Sequence, residues 1–280
     1  MPDKPVFRPG IMLENLHQKS PLIHNITNYV TANDCANILL ACGASPIMAD
    51  DPLEAADITG LCQGLHLNLG TPSQSRISSM LSAGKQAARL GIPIVFDPVG
   101  AGASPFRIRA AGELLKKIRF TVIRGNLSEI RALSRDRQQE KGVDAAPSDK
   151  ITEENLEQAA AFARQFARQA ETIAVITGAI DIVTDGIRTF CIRNGHPMMN
   201  RVTGTGCQLS ALTCAFLAAN PGQPLEAAAA AAAAMGLCGE IAHKRLGSLD
   251  GSGSYRTYIM DAVYHLTPDQ LEKGGNYEIR

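Results

Sequence analysis

Apolar residues along the chain gather in short continuous runs that alternate with longer stretches of helical period. Pro21–Thr27 reads as a strand and Val30–Cys42 as a helix closed by Gly43. Ala44–Ala49 reads as a strand, Pro52–Gln63 as a helix, and Leu65–Leu69 as a strand ending in Gly70-Thr71. Gln74–Leu90 follows as a helix stopped by Gly91. Ile92–Phe96 (IPIVF) is apolar throughout, the pattern of a strand covered on both faces of a parallel sheet. Arg107–Ile118 predicts a helix, Phe120–Ile123 a strand, and a short helix follows Asn126. Ile151–Ala170 is amphipathic, with Leu156, Ala160, Ala163 and Phe166 near one face. Thr172–Ile176, Ile180–Thr184 and Thr189–Ile192 predict strands, with turns at Thr177-Gly178 and Asp185-Gly186; Asp-Gly is a hairpin signal. From Cys207 onward the pattern is helical, over Cys207–Ala219, Leu225–Arg245 and Arg256–His265.

Repeated strand–helix units predict an α/β fold with a mostly parallel central sheet and helices on its faces. The hairpin signals add an antiparallel edge. No long linker and no repeat of 20–50 residues interrupts the pattern, so one domain over residues 1–280 is expected. The charged stretch Ser134–Lys150 is expected to be a surface loop.

Lys plus Arg and Asp plus Glu are 27 each, so the formal net charge is zero. That argues against a sequence-blind nucleic-acid binder, which needs a basic excess. With no Trp, 8 Phe and 5 Tyr, a stacking platform for single strands is poorly supplied. The seven cysteines are spread without a C-x-x-C pair, which is neither a disulfide framework nor a zinc signature. They suit a reducing cytosol. Met1–Gly10 lacks the apolar core of a signal peptide, and the apolar stretch Ala227–Met235 is too short to span a bilayer. A cytoplasmic protein without membrane or nucleic-acid partners is expected.

In open α/β sheets, ligands sit beyond the carboxyl ends of the strands. Polar and glycine residues collect there: Gly70-Thr71, Asp97-Pro-Val-Gly-Ala-Gly102, Arg124-Gly-Asn126, Thr177-Gly178 and Val202-Thr-Gly-Thr-Gly-Cys207. The last precedes a helix, where glycine-flexible amides and the helix N-terminus can hold a phosphate. It matches neither a Walker-A loop nor a G-x-G-x-x-G loop. Cys207 falls in the first helical turn, where a thiol pKa is expected to fall; it could equally be a small buried apolar residue. Asp97 can hold Mg²⁺ or accept a hydroxyl proton, or simply cap the Gly100–Gly102 amides. Asn126-Leu-Ser-Glu129 has capping-box spacing, and Glu129 is also placed to support a hydrated Mg²⁺. Arg124 suits phosphate oxygens, and Thr177 a nucleotide phosphate, though each could be a surface or turn residue. Asn25 could bond a polar atom of a small substrate, and Met48 offers a soft apolar wall or plain core packing.

In order, PLIHNITNYVTANDCAN, GASPIMA, IPIVFDPVGAGAS, RGNLSEI, KGVD, VITGAIDIVTDG, NGHP, VTGTGCQLSA and GSGSYR resemble the hydroxyethylthiazole kinases, a ribokinase-like family. The resemblance runs from about residue 21 to 266. It implies a three-layer αβα fold and ATP-dependent, Mg²⁺-assisted phosphorylation of the hydroxyl of 4-methyl-5-(2-hydroxyethyl)thiazole in thiamine biosynthesis or salvage. It implies that Met48 and Gly204 contact the alcohol, with Asn25 beside them. It implies that Arg124 and Thr177 contact ATP and that Cys207 is the catalytic candidate; Asn126 is grouped with the ATP residues, and Asp97 and Glu129 are expected to support the metal. It also implies a homotrimer with sites between subunits. Two departures stand out: Pro72 after Thr71, where an apolar Leu is expected, and polar His66 and Asn68 in a strand expected to be aliphatic. Other readings remain: a kinase of another small alcohol such as a hydroxymethylpyrimidine, a cysteine-nucleophile transferase built on Cys207, and a non-catalytic metabolite sensor.

Overall fold

The computed structural model describes residues 7–137 and 150–280. The chain runs α1 (Pro9–Lys19), β1 (Leu22–Ile26), α2 (Ala32–Ala41), β2 (Ser45–Met48), α3 (Ala55–Thr59), β3 (Gly64–Asn68), α4 (Gln74–Leu90), β4 (Ile94–Asp97) and α5 (Pro105–Lys117). It continues through β5 (Val122–Asn126), α6 (Leu127–Arg137), α7 (Leu156–Ala170), β6 (Ile173–Thr177), β7 (Asp181–Thr184) and β8 (Thr189–Ile192). A 3₁₀ turn at Pro197–Arg201 precedes α8 (Thr205–Ala219), α9 (Pro224–Arg245), α10 (Ser252–His265), α11 (Pro268–Gly274) and β9 (Tyr277–Ile279).

One sheet of nine strands has the order β2-β1-β3-β4-β5-β6-β7-β8-β9. Strands β1 to β6 pair in parallel, and β7, β8 and β9 add an antiparallel edge. Side chains alternate across each strand, so the sheet separates two apolar clusters. Ile23, Val95, Val122 and Val175 pack with α1, α2, α8 and α9 on one face. Leu65, Leu67, Phe96, Ile123 and Ile176 pack with α4, α5 and α7 on the other. The architecture is the expected three-layer αβα.

Helix α4 shows why such elements stop where they do. Ser73 Oγ accepts from the Arg76 amide at its start, and Gly91 takes φ +68° at its end, the left-handed conformation that glycine adopts without strain. Other boundaries differ from the sequence pattern. Only Ala55–Thr59 of the expected Pro52–Gln63 helix forms, because Asp51 Oδ1 accepts from the Leu53 amide at 2.8 Å and makes a local turn instead. Helix α7 begins at Leu156, since Asn155 Oδ1 takes the Thr152 amide and closes a turn before it. Helices α1 and α11 and strand β9 were not signalled by the strand–helix alternation. The polar stretch from Ser134 begins inside α6, and its remainder, with the KGVD segment, lies outside the described residues.

Helix α9 has 22 residues and is long and apolar enough to cross a membrane, but 83% of its most apolar window is buried within the fold. Its alanines and glycines let neighbours approach. A Cβ on Gly236 would stand 2.5 Å from the Asn194 carbonyl oxygen. The helix is therefore longer than Ala227–Met235, and it serves as a core helix under the sheet.

Candidate active site

On the face covered by α8, the alternation that places Ile23, Val95, Val122 and Val175 in the core carries two residues further to Asn25, Asp97, Arg124 and Thr177. Asn68 sits opposite Asp97 in the β3–β4 register, and Thr177 opposite Asn126 in β5–β6. The apolar sheet face thus turns polar at the carboxyl ends of five neighbouring strands, β1, β3, β4, β5 and β6. Strand β5 starts and ends later than the expected Phe120–Ile123. Its ladder with β6 continues to Asn126, and this puts Arg124 and Asn126 on the strand itself.

Asp97 is fully buried and is the hub. Its Oδ2 accepts from Asn68 Nδ2 at 2.8 Å, Ser210 Oγ at 2.9 Å and Arg124 Nη1 at 3.3 Å. Arg124 Nη2 donates to Thr177 Oγ1 at 2.9 Å. Asp97 Oδ1 and Arg124 Nε have no partner although both are buried. A buried carboxylate oxygen and a buried guanidinium N–H left open cost free energy unless a ligand meets them. Burial pushes the Asp97 carboxyl up to about 6, against the pull of Arg124.

Helix α8 faces this row with its N-terminus. Gly204 is its N-cap with φ +86°, and no side chain caps the helix, so its first amides are available to an anion. A side chain at 204 would be strained by φ and would drive a Cβ to 2.5 Å from Thr31 Cγ2. A Cβ on Gly206 would stand 2.6 Å from Arg124 Nη1, so glycine there lets the guanidinium lie against the helix.

Cys207 occupies the first turn, as expected, but its thiol pKa is raised rather than lowered. Burial is the main cause and Asp97 adds to it, outweighing the donors around the sulfur. Sγ accepts from Asn68 Nδ2 at 3.2 Å and Asn28 Nδ2 at 3.5 Å. The sequence reading did not use Asn28, Asn68 and Ser210 as site residues. The signal for Asn68 was present, as a polar residue in an aliphatic strand. His66 is part of the same break: its Nδ1 meets Asn25 Oδ1 at 2.9 Å, and burial holds its pKa down to about 3, so it is neutral.

The Asn126–Glu129 capping box forms. Asn126 Oδ1 takes the Glu129 amide, and Glu129 Oε2 takes the Asn126 amide, both at 2.9 Å. Glu129 Oε1 also takes the Gly100 amide at 2.8 Å, so it ties the loop after β4 to α6. Asn25 is buried, with Nδ2 on the Ile23 carbonyl. Met48 lies on the edge strand, in register with Asn25 and 41% exposed. Met48 therefore stands two strands from Asn68.

Among the described residues, no cluster of three or more His, Cys, Asp or Glu is arranged to hold a metal. Mg²⁺ bound with a nucleotide needs only one or two carboxylates, because phosphates and waters complete its shell. The open Asp97 Oδ1 fits that role. Both Glu129 oxygens already take an amide, so Glu129 fits contact through water.

Fold and site together define a ribokinase-like kinase. The pyridoxal kinase of Staphylococcus aureus, solved in complex with AMP-PCP and pyridoxal, shares the fold at TM-score 0.59 and 16% identity, covering 92% of this chain and 98% of that one. A hydroxyethylthiazole kinase structure from Pyrococcus horikoshii superposes at TM-score 0.86 and 36% identity, over 97% of this chain and 98% of that one. The hydroxyethylthiazole kinase of Clostridium acetobutylicum is 52% identical over 95% of this chain and 97% of its own length. That of Clostridium beijerinckii is 46% identical over 94% of each. Residues 13–269 match the hydroxyethylthiazole kinase family. The chain belongs to that family.

Proposed function

We propose that the protein transfers the γ-phosphoryl group of ATP to the primary hydroxyl of 4-methyl-5-(2-hydroxyethyl)thiazole, a step of thiamine biosynthesis or salvage. The observation that carries this reading is the hub at Asp97, where an open carboxylate oxygen, a buried arginine and an uncapped helix N-terminus converge. Phosphoryl transfer asks mainly for positioning and charge stabilisation, and this arrangement supplies both.

Arg124 and Thr177 orient the ATP phosphates, with Asn126 beside them at the end of β5. The amides from Gly204 to Cys207 receive the charge of the transferring group. Asp97 would hold Mg²⁺ directly, and Glu129 would do so through water; when bound, the cation would supply charge that offsets that of the phosphates. Met48 and Gly204 contact the thiazole alcohol, with Asn25, in register with Met48, beside them. Cys207 faces the hydroxyl. Its raised pKa keeps it a thiol at neutral pH, so it orients the nucleophile and assists proton transfer only modestly.

We read residues 1–280 as one domain, because one nine-stranded sheet carries both apolar clusters. We place it in the cytoplasm, where seven free cysteines persist. We infer a homotrimer with sites between subunits. The exposed apolar residues Tyr29, Val30 and Leu53 lie in chain segments adjoining β1 and the edge strand β2, near Met48.

A cysteine-nucleophile transferase is disfavoured. It needs a base beside Cys207, and among the described residues the sulfur is hydrogen-bonded by Asn28 and Asn68, not by a histidine. His24 bonds Thr59 and the Ala49 carbonyl, and His66 bonds Asn25. The test is ADP release from MgATP with the thiazole alcohol, with a hydroxymethylpyrimidine run in parallel. Thiazole-dependent ADP is expected; none above background overturns the reading, and a pyrimidine preference moves it to the other alcohol.

A further inference from the structure

We propose that Asn68 is a positioning residue of the transfer site: its carboxamide fixes the Cys207 sulfur relative to Asp97, so that both move as one unit. This rests on the kinase reading above.

The orientation of the amide is not arbitrary. Its Oδ1 accepts from the Gly70 backbone amide at 2.9 Å, a group that can only donate, and from Asn28 Nδ2 at 2.9 Å. That leaves the two Nδ2 hydrogens for Asp97 Oδ2 at 2.8 Å and Cys207 Sγ at 3.2 Å. Two donors and two lone pairs are thereby all used, in a fully buried side chain. Asn28 is held in turn: its Oδ1 takes the Val30 and Thr31 amides at 3.0 and 3.1 Å. Gly70 packs so closely that a Cβ there would stand 2.7 Å from Asn28 Cβ. The sulfur thus receives N–H groups from both asparagines.

No other side chain hydrogen-bonds both Asp97 and Cys207 among the described residues. Ser210 and Arg124 reach only the carboxylate, and Asn28 only the sulfur. A displacement of about 1 Å at a reacting group can cost about a hundredfold in rate, so the cross-link is worth a buried polar residue in an apolar strand.

Asn68→Asp keeps the shape and the two accepted bonds but has no N–H for either partner. Asn68→Ala removes the amide without adding charge beside Asp97. In each, kcat is expected to fall about 30- to 100-fold, with KM for ATP and for the alcohol changed less than about threefold. In a Cys207→Ala background Asn68→Ala should cost less than it does in the wild type, because the share of its effect that passes through the sulfur is already gone and only the lost bond to Asp97 remains. A crystal structure of either variant should show Cys207 Sγ moved from its wild-type place over an unchanged backbone. Loss confined to KM, full multiplication in the Cys207→Ala background, or an unmoved Sγ would each overturn the proposal. If the wild type releases no ADP, the kinase reading fails, and the position of Sγ in the variants still decides the role of Asn68.

Discussion

The parallel strands β3 to β6 and the antiparallel edge β7–β8 both bury polar side chains, but they do so differently. At the edge, Thr189 Oγ1 donates to Thr184 Oγ1 at 3.1 Å. Thr184 Oγ1 in turn donates to the Arg188 carbonyl at 2.7 Å and accepts from the Gly186 amide at 3.1 Å. These bonds close on themselves, and they hold a hairpin. At the parallel end, Asp97 Oδ1, Arg124 Nε and His66 Nε2 stay open, and Gln208 Nε2 on α8 does so as well. Burial without satisfaction is tolerated where a ligand completes the set. The difference separates polar residues that build the sheet from polar residues that the sheet carries for chemistry.

The largest test of that separation is Asp97→Asn. The amide oxygen can still accept, but the charge that opposes Arg124 and that the proposed mechanism assigns to Mg²⁺ is gone. We expect kcat to fall about 10²- to 10³-fold, the scale for removing one charge-stabilising group. The stability loss should stay below the ~3–5 kcal/mol of breaking a buried pair outright, because the hydrogen bonds persist. Steady-state kinetics beside thermal melting measure the two; an active Asp97→Asn enzyme would erase the distinction between the two regions.

Gly206→Ala perturbs the same end without touching a charge. Its methyl would push the Arg124 guanidinium off Asp97 and Thr177. KM for ATP should rise about tenfold, equivalent to ~1.4 kcal/mol. Alanine's helix preference, about 1 kcal/mol, offsets only part of the loosened buried Arg124–Asp97 pair, so melting should fall as well. A rise in KM for the alcohol alone would place Arg124 elsewhere in the reaction.

The pH dependence should also belong to the parallel end. Asp97 is pushed up to about 6 by burial. It therefore binds its proton more tightly folded than unfolded. Its contribution to stability is full below the ordinary carboxylate pKa, near 4, and is lost as pH rises through about 6. Activity runs the other way on the proposed mechanism, in which a protonated Asp97 could not hold the metal. An acidic limb in kcat/KM near pH 6 is expected, moving to lower pH at higher Mg²⁺ because the cation favours the ionised form. His66, with a pKa held near 3, adds nothing to it. A limb insensitive to Mg²⁺ would assign it to another group.

The sequence made much of this end legible, because strand-end residues are read from short apolar runs and the glycines that follow them. Asp97, Arg124, Thr177 and Cys207, which the fold brings together, were all singled out in that way. Asn28 and Ser210 were not, since an Asn after a strand and a Ser inside a helix look like ordinary local capping or packing. Only the fold brings Ser210 to Asp97, 113 positions away in the chain. The Cys207 pKa was misread for a related reason. Helix position is visible in a sequence, but the burial and the neighbouring carboxylate that outweigh it are not. The late elements α11 and β9 are short, and β9 gains its identity only by pairing with β8.

The smallest effect should come from Thr189→Val at the edge. Valine keeps the shape and the β-branch, and deletes the hydroxyl that donates to Thr184. Thr184 retains its bonds to the Arg188 carbonyl and the Gly186 amide, so no buried group is left wholly unpaired. A net loss of about 0.5–1.5 kcal/mol is the scale for one such bond. Valine's better fit to a pleated, buried strand should offset part of it. The kinetic constants should stay within about twofold of wild type, because the hydrogen bonds of Thr184 and Thr189 go to the hairpin and not to the Asp97 hub. Denaturant melts and ADP-release kinetics on the same preparation decide it. A Thr189→Val enzyme that melts as wild type but loses turnover would mean that the edge hairpin communicates with the site, and the contrast between the two regions would fail from its structural side.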